Sequence, residues 1–375
     1  MKTERFKILS FSDVHLGCDR IDQMEMVTLF ENILFEWISK VKLVTIVGDL
    51  FDDSIVLSNS GAIYILDFIT KFLHICDENN VTVRLLRGTF SHDRNQCQAV
   101  KSMADSMNVK NDVKYYDRID VEYIKELDLK IGYIPDDLSS SFKTSQNAIE
   151  LLKDKMLALG FDNLDYVLFH GYAEHVLPPK AHPKYVFNAD QFPFVKKCVL
   201  AGHIHQHSSF KNFYYHGSLD RLAFNEEDSK GFLIVHDYKD SYSVRFIENT
   251  NAHIFKTLDY SKITTGITEQ FKKDIEPYKD SQQTVYIRVI HPDGNIRIAL
   301  RNFVNEHYPN IKFFHTSPKN KTVTKMSEDI IIDQGVELRT YSVNTLPDDI
   351  YEYIKENKLE HVSKDTIVSV IDEFM

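Results

Sequence analysis

Five short apolar runs within the first 206 residues each break off into an aspartate or a histidine. "KILSF" (7–11) leads into "SDVHLG", "LVTIV" (43–47) into "GDLFDD", "VTVRLL" (81–86) into "RGTFSHD", "YVLF" (166–169) into "HGY", and "CVLA" (198–201) into "GHIHQ". Short runs rich in branched and aromatic side chains read as strands. Amphipathic stretches separate several of them. In residues 23–39, Leu29, Phe30, Ile33, Leu34, Trp37 and Ile38 keep the i, i+3, i+4 spacing of one buried helix face. Strands alternating with helices predict an α/β domain with a layered sheet. In such sheets ligands bind at the carboxyl ends of the strands, so the five strand-end polar groups are expected to converge.

The residue types at those ends define a chemistry. Asp13 and His15 stand two apart, on one face of an extended segment. Asp49 follows Gly48, which lets the backbone turn sharply. His170, His203 and His205 complete the set. A single histidine at a strand end is more often a packed or hydrogen-bonded residue; the set as a whole is what points to metal. Carboxylate plus imidazole suits a transition-metal or zinc-like ion and not calcium. Two aspartates and four histidines exceed what one four-coordinate ion requires. Two ions, bridged by Asp49, are therefore expected. Two ions held about 3.5–4 Å apart suit in-line displacement at phosphorus, which makes phosphoester hydrolysis the expected reaction class. The adjacent Ser91, His92 and Asp93 are not a hydrolase triad, because consecutive side chains project in different directions and a triad needs convergence.

Composition narrows the setting. A chain of 375 residues exceeds the usual single-domain size. With 44 Lys and Arg against 55 Asp and Glu, the formal charge is −11, so bulk charge does not draw nucleic acid and polyanion binding must be local. "KAHPK" (180–184) and "VKK" (195–197) are possible local patches, or simply solvated loops. Cys18, Cys76, Cys97 and Cys198 show no paired or C-x-x-C spacing, which fits a reducing compartment. The polar amino terminus does not read as a secretory signal and no run is apolar enough to span a bilayer, so a cytosolic protein is expected, or a nuclear one in a host with a nucleus.

After about residue 250 the pattern changes. "TVYIRVIH" alternates like a strand, "PDGN" is a turn signal, "IRIALRNFVNEHY" reads as a helix and "IKFFH" as another strand, together a small α+β domain. Residues 317–329 read as a polar linker. Two terminal helices are expected, one capped by Thr345 and one carrying Ile367, Val370, Ile371 and Phe374 on a single stripe. Those stripes can pack on the preceding domain or dock on a partner, and both readings stay open.

"DVH", "GDLFD", "HG" and "GHIH" in this order resemble the calcineurin-like metallophosphoesterases, whose pattern runs D-x-H, G-D-x-x-D, G-N-H-D, H, G-H-x-H. "YYHGSLDRLAFNEEDSKGFLIV" (214–235) is similar to a run in the SbcD-type nuclease subunits and their meiotic-recombination relatives. The resemblance covers about the first 240 residues. It implies an α/β fold built as a β-sandwich flanked by helices (1–248), a small α+β capping domain (249–325), and a linker with C-terminal helices (326–375) that dock an SbcC-type, SMC-like ATPase. It implies two divalent ions, manganese with magnesium as the alternative. One would sit on Asp13, His15, Asp49 and His205; the other on Asp49, His170, His203 and the residue before His92. His92 would protonate the leaving oxygen, and Asp52 belongs to the same catalytic group. Arg94, Lys180 and Lys184 are expected to meet DNA phosphates. The implied activity is exo- or endonucleolytic cleavage of DNA ends or single strands in double-strand-break repair. Rival expectations are a small-substrate phosphatase of the same superfamily and a catalytically weak tether for the ATPase. Family members dimerise through helices of the nuclease domain; "SGAIYILDFITKFLHI" (60–75) is suitably placed, and equally suits a core helix.

The third element departs from the pattern. Where the family has Gly-Asn-His-Asp, this chain has Gly88-Thr89-Phe90-Ser91-His92-Asp93, two residues longer and with Ser91 in the position of the ligand Asn. Serine is a shorter neutral oxygen donor. Thr89, directly after the glycine, is the less favoured candidate for the same role, and the second ion is expected to bind more weakly than the first.

Overall fold

The computed structural model describes residues 3–317, apart from 57–59, 137, 139–141, 178–180 and 264. The expected C-terminal helices and Lys180 lie outside the described residues.

The chain alternates strands and helices from the start: β1 (Glu4–Phe11), α1 (Gln23–Trp37), β2 (Leu43–Val47), α2 (Ser60–Glu78), β3 (Thr82–Leu86), the single turn α3 (Phe90–Asp93), α4 (Gln96–Ser106) and β4 (Val113–Tyr116). Then follow β5 (Asp120–Ile124), β6 (Leu129–Ile134), α5 (Ser145–Ala158), β7 (Leu164–His170), β8 (Val195–Gly202), β9 (Ser208–Phe210), β10 (Phe213–Tyr215), β11 (Gly231–Tyr238) and β12 (Tyr242–Glu248). They build two six-stranded mixed sheets, ordered β12-β11-β1-β2-β3-β4 and β5-β6-β7-β8-β10-β9. Strands β1 to β4 run parallel, as do β6, β7, β8 and β10, so the strand ends singled out in sequence fall at the same edge of each sheet.

Side-chain alternation explains the layering. From β1 to β3, Leu9, Phe11, Val44, Ile46, Val83 and Leu85 face α1, α2 and α4 in one core. Their neighbours Ile8, Leu43, Val47 and Leu86 face the second sheet and meet Ile131, Tyr133, Tyr166, Leu168 and Leu200. A strand covered on both faces reads as an unbroken apolar run, which is why β2 is "LVTIV" with every residue buried. On the far side of the second sheet α5 contributes Ala148, Ile149, Leu152 and Met156 to a third core. Helix α1 begins where expected, because the Asp22 carboxylate accepts the otherwise unpaired N–H groups of Met24 and Glu25. The seven helices among the described residues include none long and apolar enough to cross a membrane.

Beyond residue 250, β13 (Ile254–Asp259), α6 (Ile267–Ile275), β14 (Val285–Ile290), α7 (Gly294–His307) and β15 (Ile311–Thr316) form a third sheet with its own core. The "PDGN" turn supplies Asp293, whose carboxylate caps α7. The expected α+β character is corrected here: all three strands are parallel, a βαβαβ arrangement. The segment "IFKTLD" lacks the alternation that marks "TVYIRVIH" as a strand, and two strands alone do not fix a crossover direction; a helix between each pair of strands is what makes the parallel connection possible. This sheet packs on the first core through Phe255, Tyr286 and Phe314, with the Phe255 and Tyr286 rings stacked 4.3 Å apart.

Candidate metal centre

Asp13, His15, Asp49 and His203 all adopt positive φ, at 51°, 55°, 48° and 91°. Non-glycine residues rarely occupy this region, and the strain persists where surrounding structure demands it. Here it turns each side chain back over the ends of the strands. Two glycines make the turns possible. A Cβ on Gly48 would lie 2.1 Å from His170 Nδ1, and one on Gly88 2.2 Å from Asp49 Oδ1.

Two groups of donors result. Asp13, His15 and His205 bring ligand atoms within 4.8 Å of one another, and so do Asp49, His170 and His203. Asp49 stands between them: its Oδ2 lies 3.9 Å from His15 Nε2 and 3.3 Å from His170 Nε2. Its Oδ1 accepts the Thr89 backbone N–H at 2.6 Å, which leaves Oδ2 facing the imidazoles. A further group joins His15, Asp52 and His92.

The hydrogen bonds decide which ring nitrogens face inward. His15 Nδ1 is bonded to Asp52 Oδ1 at 2.8 Å and His205 Nδ1 to Glu226 Oε1 at 2.9 Å. His170 Nδ1 donates to the Val47 carbonyl at 2.7 Å. With each Nδ1 carrying its proton to an acceptor, each Nε2 is the atom turned inward, and in the neutral ring it presents a lone pair. The Nε2 atoms of His15 and His205 then face each other at 3.1 Å, and the buried Nε2 of His170 faces Asp49 Oδ2 at 3.3 Å. Lone pairs turned on one another beside two buried carboxylates repel, and a cation removes that conflict. The donor set therefore fits divalent ions.

The charges follow the same logic. Burial disfavours an ionised Asp49, yet the charge and hydrogen bond of His170 hold its carboxyl well below the usual range. His170 is disfavoured as a cation by burial, but Asp49 pushes it up to about 10, so a proton and a divalent ion compete for its Nε2. Burial and the neighbouring His170 charge pull His203 down to about 4. Glu226 is opposed by burial, and His205 with Lys230 bring it down to about 2.

Of the expected ligands, Asp13, His15, Asp49, His170, His203 and His205 come together, with Asp49 central. Ser91 is corrected. It is exposed on the α3 turn at the mouth of a cleft, while the Thr89 hydroxyl lies 3.2 Å from Asp49 Oδ2 and 3.3 Å from His203 Nδ1. The two extra residues close α3 as a helical turn, which puts Ser91 on its outer side and leaves Thr89, at the turn's start, facing the donors. His92 Nδ1 bonds the Asp52 carbonyl at 2.5 Å, and its ring packs edge-on against His15 at 4.8 Å. Asp52 thus holds His15 by its side chain and His92 by its backbone. Arg94 is paired with the Asp53 carboxylate at 3.0 Å, and Lys184 lines the cleft.

Sequence reasoning missed two positioning residues. Asp93, fully buried, accepts the backbone N–H groups of Gly88, Asp49 and Phe51 at 2.7, 3.1 and 3.1 Å and so fastens two strand-end loops together. Burial and the Asp49 charge raise it to about 6. Glu226 sits in the "LAFNEEDSKGF" run already set apart in sequence, but nothing in that run says which residue it serves. Lys230, from the same run, pairs with Glu226 at 2.9 Å and donates to the His205 carbonyl at 2.8 Å.

No family model matches the chain, and neither does any curated protein. Among solved structures, it is similar to the crystal structure of TT1561 of Thermus thermophilus at 10% identity, over 65% of this chain and 99% of that one, with a TM-score of 0.37. A second solved structure matches at 11% identity with the same coverage and TM-score. Similarity this distant establishes neither a family nor an activity.

Proposed function

We propose that the chain is a metal-dependent phosphodiesterase of the calcineurin-like type, and within it an SbcD-type DNA nuclease subunit. The observation that carries the reading is the pairing of two donor groups through Asp49, with the Nε2 atoms of His15, His170 and His205 all turned inward. Asp13, His15, His205 and Asp49 would hold one ion; Asp49, His170, His203 and Thr89 the other, manganese being preferred over magnesium. When bound, the ions supply charge neutralisation at the phosphoryl oxygens and a more acidic attacking water.

The chain's own residues do the rest. Asp52 and Glu226 fix the tautomer and tilt of His15 and His205. Asp93 fixes the backbone on which Asp49 and Thr89 ride. His92, its Nδ1 committed to the Asp52 carbonyl, offers Nε2 as the atom that passes a proton to the departing ester oxygen. Lys184 supplies a positive charge at the cleft, against a net acidic molecule. Helix α2 buries Ile65, Phe68, Ile69, Phe72 and Leu73 in the core while Ile63 and Tyr64 remain exposed, which supports a homodimer contact on that helix. An SbcC-type ATPase is the proposed partner of the C-terminal segment.

The test is hydrolysis of labelled duplex and single-stranded DNA with manganese or with chelator, beside a generic phosphate ester. Metal-dependent nucleotide release supports the reading. Turnover of the generic ester alone would make the protein a small-substrate phosphatase, and no turnover of either, with ATPase binding intact, would make it a tether.

A further inference from the structure

A cleft of about 490 Å³ opens directly off the Asp49–His170–His203 group, within the about 300–1,000 Å³ typical of small-molecule sites. On one side stands Phe90, 52% exposed although it is a large apolar ring. The other side carries Tyr172, whose ring meets His203 edge-on at 4.3 Å, and Tyr185, with Lys184 Nζ 4.8 Å above its ring. Phe90 is one of the two residues by which this loop exceeds the Gly-Asn-His-Asp pattern. The insertion therefore does two things at once: it sets Thr89 against Asp49 and His203, and it puts an aromatic face at the mouth of the site.

A single exposed ring is ordinary by itself, but this one lines a cleft that ends at the candidate metal centre, so a group that fills the cleft must offer an apolar face to Phe90 and an anionic one to the centre. A nucleotide satisfies both demands. Its base has a π face that stacks on any aromatic side chain, and its phosphate matches the His203 and Lys184 side of the cleft. A base can enter only when it is unstacked from its neighbours and unpaired from a complementary strand.

We propose that this cleft is a nucleoside subsite, with Phe90 as the stacking platform for an unpaired base next to the scissile phosphate. The substrate is then single-stranded DNA or a frayed end, and intact duplex is engaged only where it opens. This rests on the phosphodiesterase reading for the identity of the adjoining centre.

The test uses manganese-loaded protein and fluorescent thymidine tetranucleotides with hydrolysis-resistant phosphorothioate links, each carrying one abasic residue in turn. At one position the missing base should weaken binding roughly 5- to 150-fold, the range set by base–aromatic stacking. Phe90→Ala should erase that discrimination, and Phe90→Tyr should restore it. Equal binding of intact and abasic oligonucleotides, or a Phe90→Ala variant that discriminates like the wild type, overturns the subsite. Cleavage of the ordinary phosphodiester tetranucleotide is read separately. Its absence beside intact discrimination would count against the phosphodiesterase reading and leave the subsite standing; its presence beside equal binding would do the reverse.

Discussion

The two halves of the candidate metal centre are built from the same residue types and supported differently. In the Asp13–His15–His205 half, His15 and His205 are each backed by a carboxylate, Asp52 and Glu226. In the Asp49–His170–His203 half, His170 leans on a backbone carbonyl, and the Thr89 hydroxyl beside His203 is itself one of the proposed ligands. A carboxylate behind an imidazole raises its basicity and fixes its tilt more firmly than a neutral acceptor does. The first half should therefore bind its ion tightly. The second, open to the cleft, should bind more weakly and meet substrate. The difference teaches that ligand identity alone does not rank two sites; the atoms one bond further out do.

The most drastic way to break the comparison is to remove the residue the halves share. Asp49→Asn should lower manganese-dependent phosphodiester hydrolysis on the order of 10³-fold or more. Calorimetric titration should show both binding events weakened; loss of only one would deny Asp49 its bridging place. His92→Ala tests a group outside both halves. Turnover should fall by about 10²- to 10⁴-fold with metal binding spared, and full retained activity would remove His92 from the reaction.

Glu226→Gln sharpens the contrast itself, since it should weaken the first ion by about 10- to 100-fold and leave the second unchanged. Thr89→Val should do the opposite on a smaller scale, a loss of about tenfold or less confined to the weaker event, because one neutral oxygen contributes only about 1 kcal/mol. Two equally tight sites in the wild type would contradict the whole scheme.

The smallest effect at the site is expected from His253, far along the chain at the join between the sandwich and the third sheet. Burial disfavours its charged form, but hydrogen bonds to Asp220 and Glu25 raise it from 6.5 to about 9. A group raised on folding stabilises fully below its unfolded value, so this contribution is whole below pH 6.5 and is lost as pH rises through 9. Its size is on the order of 3 kcal/mol. The melting temperature of the wild type should fall over that window, and that of His253→Gln should start lower and stay flatter. Parallel curves would mean that the ion pair does not carry the stability of the join.

Much of this was legible along the chain. The apolar runs fell on strands, the stripe containing Leu29, Phe30 and Leu34 on α1, and six strand-end residues on two donor groups, because period and strand order are local properties that a sheet converts into proximity. The third element was not legible in the same way. Reading Ser91 as the ligand assumed that the donor keeps its distance from His92 in sequence; the inserted residues wound into a helical turn and moved that role to Thr89. The parallel third sheet was hidden for a similar reason, since "IFKTLD" shows its partner only once α6 carries the chain back.

By itself the sequence determined which chemical groups are present and at which strand ends, since the apolar runs must be buried and each breaks off at a polar residue. Only the tertiary structure decided which nitrogen of each histidine faces inward, which carboxylate holds it there, and whether Thr89 or Ser91 completes the set. Those depend on backbone turned to positive φ at Asp13, His15, Asp49 and His203 and on acceptors supplied from distant segments, such as Val47 for His170. Side-chain direction is a property of the whole packed loop cluster, and spacing along the chain does not carry it.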